Sequence, residues 1–360
     1  MIVVNVNSGL GNQMYHYAIY LELKRNNPNQ ECYIDNSIFE ITGKTQKYAL
    51  ESVFSLSLPN IKNLVRADDY KAYIEEAKPI ANQLPNNWLS KSAVMTRKIF
   101  LGMLSNYGIV HWNEITDLVS PNKRNIKQQV LLKIKATPII ADLFYKIKKQ
   151  EKGYNLRLFY QSISSMYNVK NYKLADNNYL NYILTPKIQN TYYLGNFESG
   201  TTFFKNVEEQ VRKDFVFPEL DKVNSKLAQI IQNCESVSIH VRKGDHPATL
   251  VQGKDIMYFY KAVNFMKKVC MKPQFFVFSD DINWCRKNME KLGLYNSDKV
   301  VFVDGNTGIN SYKDMQLMSL CKHNIISRST FSWWASYLNN NPNKVVCAPK
   351  GYWAESTLQV

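Results

Sequence analysis

The chain has 360 residues, 45 of them Lys or Arg against 30 Asp or Glu, giving a formal charge of +15; 45% are hydrophobic and 21% charged. These proportions argue against a disordered chain, and the length exceeds what one hydrophobic core usually serves, so two domains are expected. The basic excess favours anionic partners such as nucleotides, nucleic acid or anionic lipid without choosing among them.

In chain order, Ile2 to Val6 reads as a strand, Ser8-Gly9-Leu10-Gly11-Asn12 as a turn that cannot continue it, and Met14 to Arg25 as a helix. A strand over Glu31 to Ile34 completes a β-α-β unit. The start lacks the basic head, apolar run and cleavage site of an export signal, and no stretch approaches 18 apolar residues. Neither export by such a signal nor a spanning anchor is therefore expected, which implies a cytoplasmic protein. From Ile41 to Phe204 the pattern is poorer, broken by Pro59, Pro79, Pro85, Pro121, Pro138 and Pro186. Between Asn122 and Lys152, nine Lys or Arg from Lys123 to Lys152 alternate with Ile, Leu and Phe. That stretch reads either as a solvated helical face or as a patch for the inner face of a membrane.

A polar helical stretch over Asn206 to Gln232 marks the expected boundary between an N-terminal domain, residues 1–205, and a C-terminal one, residues 206–360. Beyond it, apolar runs at Val237 to Val241, Phe275 to Phe278, Val300 to Val303, Asn324 to Ile326 and Val345 to Ala348 read as strands. They alternate with helix-like stretches at Tyr258 to Cys270, Ile282 to Leu292, Ser311 to Cys321 and Phe331 to Leu338, which predicts a parallel doubly wound sheet. Ligands of such sheets collect at the carboxyl ends of the strands. The class expected is α/β, with two Rossmann-like lobes facing a cleft. Six cysteines lie far apart with no Cys-x-x-Cys pair, which suits reduced, buried thiols.

Candidate chemistry sits at those strand ends. His240-Val241-Arg242-Lys243-Gly244-Asp245 closes a strand, so His240 and Arg242 are expected on one face, directed into one crevice. An Arg fork suits a diphosphate leaving group, which makes Arg242 the first choice for that role; a salt bridge to Asp245 is the plainer alternative. Ser327-Arg328-Ser329-Thr330-Phe331-Ser332-Trp333-Trp334 places hydroxyls at a helix start, either as an anion site or as ordinary caps, and the Trp pair reads more readily as core. Phe278-Ser279-Asp280-Asp281 and Asp314 offer carboxylates that can pair with guanine or cap helices. His16, His111 and His323 are scattered and read as structural. There is no Walker loop, zinc-protease or nucleophile-elbow signature, and no third glycine after Gly9 and Gly11. No Asp-x-Asp triplet is present, so no metal is expected at a nucleotide-sugar site.

Taken together, Ser8 to Met14, His240 to Asp245, Phe278 to Asp281, and Asp314-Met315 running to Ser329 through Trp334 resemble the α-1,2-fucosyltransferase family in order and spread. The resemblance covers both ends of the chain and most of its last third. It implies a GT-B-like, metal-independent, inverting enzyme that moves L-fucose from GDP-β-L-fucose, its donor substrate, to the 2-hydroxyl of a terminal galactose in a glycan, including lipid-linked glycans. It also implies that Arg242 holds the diphosphate, and that His240, Asp314, Ser329, Thr330 and Phe331 line the nucleotide site, to which the strand-end reading adds Asp280. The turn carrying Gly11, Asn12 and Gln13 would approach from the opposite lobe, its glycines leaving room. Tyr15-His16 departs from the Phe-Gln of many members, and the residues Asn196 to Glu198 depart as well. The base that takes the acceptor proton is open between Asp245, Glu198 and the β-phosphate itself. Other readings are a fucosyltransferase of different linkage, a non-catalytic glycan-binding relative, and a basic nucleic-acid-binding protein, though no RRM, KH or helix-turn-helix signature accompanies the charge.

Overall fold

A computed structural model of the chain describes residues 1–43, 47–83, 184, 191–193, 201, 203–243, 254–349 and 358–359. By contacts the chain divides into two units: Met1–Asn5, Leu23–Thr42 and Pro59–Gly195 form the first, and Val6–Glu22, Gly43–Leu58 and Asn196–Val360 the second.

In the first unit, β1 (Ile2–Asn5) lies between β2 (Cys32–Asp35) and β3 (Thr191–Tyr193), all parallel. The apolar Ile2-Val3-Val4 run is fully buried, as a strand covered on both faces requires. Between β1 and β2 the chain runs through α1 (Leu10–Asn26), whose residues up to Glu22 fall in the second unit. Further helices are α2 (Ser37–Thr42) and α4 (Ala67–Gln83), which pack on each other, while α3 (Leu50–Phe54) falls in the second unit. Asn60 Nδ2 donates to Asn36 Oδ1 at 2.8 Å and satisfies a buried polar pair at the β2 end.

The second unit carries α5 (Glu208–Asp214), α6 (Lys222–Gln232), β4 (Ser236–Val241), α7 (Lys254–Val269), β5 (Gln274–Ser279), α8 (Ile282–Lys287), β6 (Lys299–Phe302), α9 (Tyr312–Leu320), β7 (His323–Ile325), α10 (Thr330–Leu338), β8 (Val346–Ala348) and β9 (Leu358–Gln359). Its parallel sheet has the order β6-β5-β4-β7-β8-β9, with β4 as the point from which the chain winds both ways. Alternation along β4 sorts its two faces. Val237, Ile239 and Val241 enter a core with Phe259, Val263 and Met266 of α7 and with Phe275 and Val277 of β5. On the other face, Ser238 accepts from Asn324 Nδ2 (2.8 Å), which also donates to the Met318 carbonyl of α9 (2.9 Å). Helices thus cover both faces, and the α/β class with parallel sheets in both units is as expected. The strands expected in this unit appear within a residue or so of their predicted bounds.

Two features differ from expectation. A contiguous division after residue 205 is not what contacts give, because Val6–Glu22 and Gly43–Leu58 group with the C-terminal sheet. The reason is aromatic packing: Tyr15 lies 5.0 Å and 4.9 Å from the Trp333 and Trp334 rings, and Phe54 lies 4.8 Å from Phe215. Strands β3 and β9 were also unforeseen, being too short to show a period. All six cysteines are free thiols and five are buried. Among the described residues no helix is long and apolar enough to cross a membrane.

Candidate active site

The carboxyl end of β4 carries the central group. His240 is buried, and desolvation, helped by the nearby Arg242 charge, pushes its pKa down to about 3, so the ring is neutral at physiological pH. Its Nδ1 lies 2.8 Å from Ser327 Oγ, and its ring is 5.6 Å from that of Phe331. His240 therefore braces the turn between β7 and α10. Arg242 lies beyond the last pleated residue and reaches the other neighbour, its Nη1 3.2 Å from Asp280 Oδ2 after β5. His240 and Arg242 thus engage opposite neighbours of β4, His240 the turn after β7 and Arg242 the turn after β5, while the Arg242 charge still acts on the imidazole.

Asp280, for which guanine pairing and a capping role were both open, has its carboxylate engaged locally: Oδ1 accepts the Lys243 backbone N–H at 2.8 Å while Oδ2 faces Arg242. Lys243 Nζ donates to Asp281 Oδ2 at 2.6 Å, and that bond, with the Trp284 N–H, holds the Asp281 carboxyl below its usual range. Asp281 also caps α8 through Trp284 N at 2.9 Å.

At the start of α10, Ser329 is extended and makes no side-chain cap bond, while Ser332 Oγ donates to its carbonyl. Thr330 Oγ1 donates to Asn12 Oδ1 at 2.6 Å, and Trp334 Nε1 donates to the Gly11 carbonyl at 2.8 Å. A Cβ on Gly11 would lie 2.7 Å from Phe331 N, so glycine is required for α1 to approach α10. The glycine turn thus belongs to the same unit as α10 and meets it directly, where an approach from the opposite lobe was expected. Gln13 is fully buried: Nε2 donates to the Ser8 and Lys47 carbonyls, both at 2.9 Å, and Oε1 accepts from Ala49 N at 2.8 Å. Its expected donor contact is corrected to a brace for the turn, because these bonds use both amide hydrogens. Trp333, Trp334 and Tyr15 are core, and the fully buried His16 accepts from Asn7 N.

Asp314, in the first turn of α9, accepts from Asn306 Nδ2 at 2.8 Å, and Asn306 exchanges reciprocal amide bonds with Asn224 at 2.9 and 3.1 Å. Burial pushes the Asp314 carboxyl up to about 7, opposed by the Asn306 bond and reinforced by the nearby Asp304 charge. An acid whose pKa is raised towards neutrality at such an edge is a functional-site candidate. Lys243 and Asp281 lie within the strand-end motifs, and Asp281 takes the capping role that was one of its two alternatives. Asn306 and Asn224 were not among the expected site residues, and nothing in the sequence marks the two asparagines.

Asp245, Glu198, His111 and the basic residues 122–152 lie outside the described residues. Among the described residues, Glu235, Cys270 and His323 offer metal-ligand atoms within 4.8 Å of one another. Their hydrogen bonds oppose that use. His323 Nδ1 accepts from Val345 N at 3.0 Å, which leaves the ring proton on Nε2, facing Glu235 Oε1 at 3.0 Å. Lys322 holds the other Glu235 oxygen, and burial pushes the Cys270 thiol up to about 11.

The Arg–Lys pair, the hydroxyl-rich helix start and the near-neutral acid all follow strands of a doubly wound α/β sheet, at the carboxyl edge where sheets of this class collect their ligands. The sequence profile of Glycosyl transferase family 11 matches residues 126–358, well over half of the chain. The chain belongs to that family, and the resemblance carried by its four motifs is borne out. It is 32% identical to an alpha-1,2-colitosyltransferase of Escherichia coli over 167 residues, 45% of this chain and 56% of that protein. It is 27% identical to human galactoside alpha-(1,2)-fucosyltransferase 1 over 158 residues, 40% of this chain and 42% of that one. The chain thus spans about half the length of the curated relatives it matches. Among solved structures, NodZ alpha-1,6-fucosyltransferase soaked with GDP-fucose is 12% identical and covers 94% of this chain and 91% of its own, at a TM-score of 0.43, too loose a likeness to carry an argument.

Proposed function

We propose that the chain transfers L-fucose from GDP-β-L-fucose to the 2-hydroxyl of a terminal galactose in a glycan, with inversion and without a metal ion. The observation that carries this reading is the convergence at the β4 end. His240 ties the strand that delivers Arg242 and Lys243 to the turn that begins α10, and Thr330 and Trp334 tie that turn to Asn12 and Gly11. Fixed positive charge, first-turn N–H groups and hydroxyls are thereby assembled for a diphosphate. Family membership supports glycosyl transfer, the names of both relatives support the 1,2 linkage, and that of the human relative supports fucose as the sugar.

In this reading Arg242 meets the charge that builds on GDP as the fucosyl bond breaks, and Ser329, Thr330 and Phe331 line the phosphates. Asp314 accepts hydrogen bonds from the guanine edge. A single in-line displacement inverts the anomeric centre, and Asp245, following the diphosphate motif, takes the acceptor proton. The basic stretch 122–152 would hold the enzyme peripherally at the inner face of a membrane, near lipid-linked acceptors. Incubation with GDP-fucose and a panel of galactosides, with mass and linkage analysis of the products, tests the proposal. A product linked elsewhere than the galactose 2-hydroxyl overturns the linkage, and no transfer from GDP-fucose to any of the galactosides overturns the reading.

A further inference from the structure

We infer that Asp280 and Asp281 are positioning residues that fix Arg242 and Lys243, and that they do not touch the nucleotide. The inference rests on the reading of Arg242 as the diphosphate group and deepens it. The β4–β5 ladder ends with His240 opposite Phe278 and Val241 opposite Ser279. Continuing that register sets Arg242 beside Asp280 and Lys243 beside Asp281, and the side chains make both pairings at 3.2 Å and 2.6 Å.

The pairing restricts long side chains. Residues 242 and 243 follow the last residue of β4, and an Arg or Lys side chain there has many rotamers to sample unless it is held. Ser279 closes the last gap by donating its hydroxyl to the Val241 carbonyl at 2.7 Å and accepting from Asp281 N at 3.0 Å. Asp280 then holds the chain through the Lys243 N–H (2.8 Å) and Arg242 Nη1 with its two oxygens. Asp281 uses its two on Trp284 N and Lys243 Nζ, the latter also 5.5 Å from the Trp284 ring. An isolated ion pair this exposed stabilises little. Here each acid bonds a backbone N–H and a cation together, which orients the cation relative to the sheet.

The test is a double-mutant cycle read by calorimetric affinity for GDP and for inosine diphosphate, which lacks the guanine amino group, alongside melting temperatures. Asp280→Asn keeps an acceptor for the Lys243 N–H but removes the ion pair. It is expected to weaken GDP binding roughly tenfold in the native background, and less than about twofold beside Arg242→Ala. Inosine diphosphate should lose affinity by the same factor, because the base is not involved. Asp280→Glu, which keeps the charge on a longer arm, should fall between. Losses that multiply in the double variant, or a loss confined to GDP, overturn the inference and return Asp280 to the base site. No loss, a gain in affinity, or equal losses in the Asn and Glu variants that track equal falls in melting temperature also overturn it. If Arg242→Ala alone binds GDP as the native chain does, the diphosphate reading falls and this inference falls with it.

Discussion

Replacing Gly11 with alanine tests how α1 and α10 meet. The added Cβ would stand 2.6 Å from Thr330 Oγ1, 2.7 Å from Phe331 N and 2.7 Å from Thr330 C. Ordinary heavy-atom contact begins near ~3.5 Å, so the overlap is roughly 0.8 Å. The Thr330 hydroxyl can rotate away, giving up its bond to Asn12, but the two backbone atoms cannot. Relief requires α1 and α10 to part, which also stretches the bond from Trp334 Nε1 to the Gly11 carbonyl. Overpacking costs about 1–3 kcal/mol and each of the two hydrogen bonds about 1. Against this, alanine is favoured over glycine in a helix by about 1 kcal/mol. The net expectation is a loss of about 2–4 kcal/mol, or roughly 5–15 °C in melting temperature for a unit of this size. Scanning calorimetry gives the number directly, and Asn12→Ala, losing one bond without a clash, should fall by only about 1 kcal/mol. A Gly11→Ala protein that melts within two or so degrees of the native chain would refute the close approach.

Arg242→Ala should lower turnover about a hundredfold to a thousandfold with little change in melting temperature, and Arg242→Lys should recover only part of the loss, since a point charge does not reproduce the fork; near-normal turnover with a large fall in stability would mark a structural arginine. Asp314 makes stability pH-dependent: with its folded pKa near 7 against 3.8 for the free acid, the cost of ionising it in place is absent below the unfolded value, grows as pH rises between the two, and is constant above. Asp314→Asn should therefore raise the melting temperature at pH 8 and leave it unchanged at pH 3.5, and an equal effect at both would contradict the burial argument. If the ionised acid accepts from guanine, GDP affinity should rise with pH to about 7 and flatten above it, a dependence that Asp314→Asn abolishes in isothermal titrations. Transfer should continue in excess chelator, and restoration by magnesium of activity lost to chelator would refute the metal-free mechanism.

The strands were legible because a parallel sheet buried on both faces leaves short β-rich runs between helical stretches, and Val237 to Val241 is such a run. Legible too was the edge at which chemistry collects, since Arg242 and Ser329 each follow a strand. Lateral partners were not, because a run of residues carries no statement about which strand lies beside it. Once β4 and β5 are known to pair with Val241 opposite Ser279, the meeting of Arg242 with Asp280 follows by counting one residue further. Without that register Asp280 was as open to a base as to an arginine.

The glycine turn shows a different limit. Gly9 and Gly11 signalled that something comes close to the backbone there, and a ligand was the natural candidate. What comes close to Gly11 is the start of α10, and Gln13, polar and beside it, spends its amide on the carbonyls of Ser8 and Lys47 and the N–H of Ala49. A close approach and a buried amide have the same sequence signature whether the partner is a nucleotide or another part of the chain, and only the contacts distinguish them. The consequence is that the turn can act on a ligand at α10 through the position it gives Thr330, whose hydroxyl it holds through Asn12. Asn12→Ala should then weaken GDP binding more than its modest effect on melting implies, and an affinity unchanged in titration would confine the turn to a packing role.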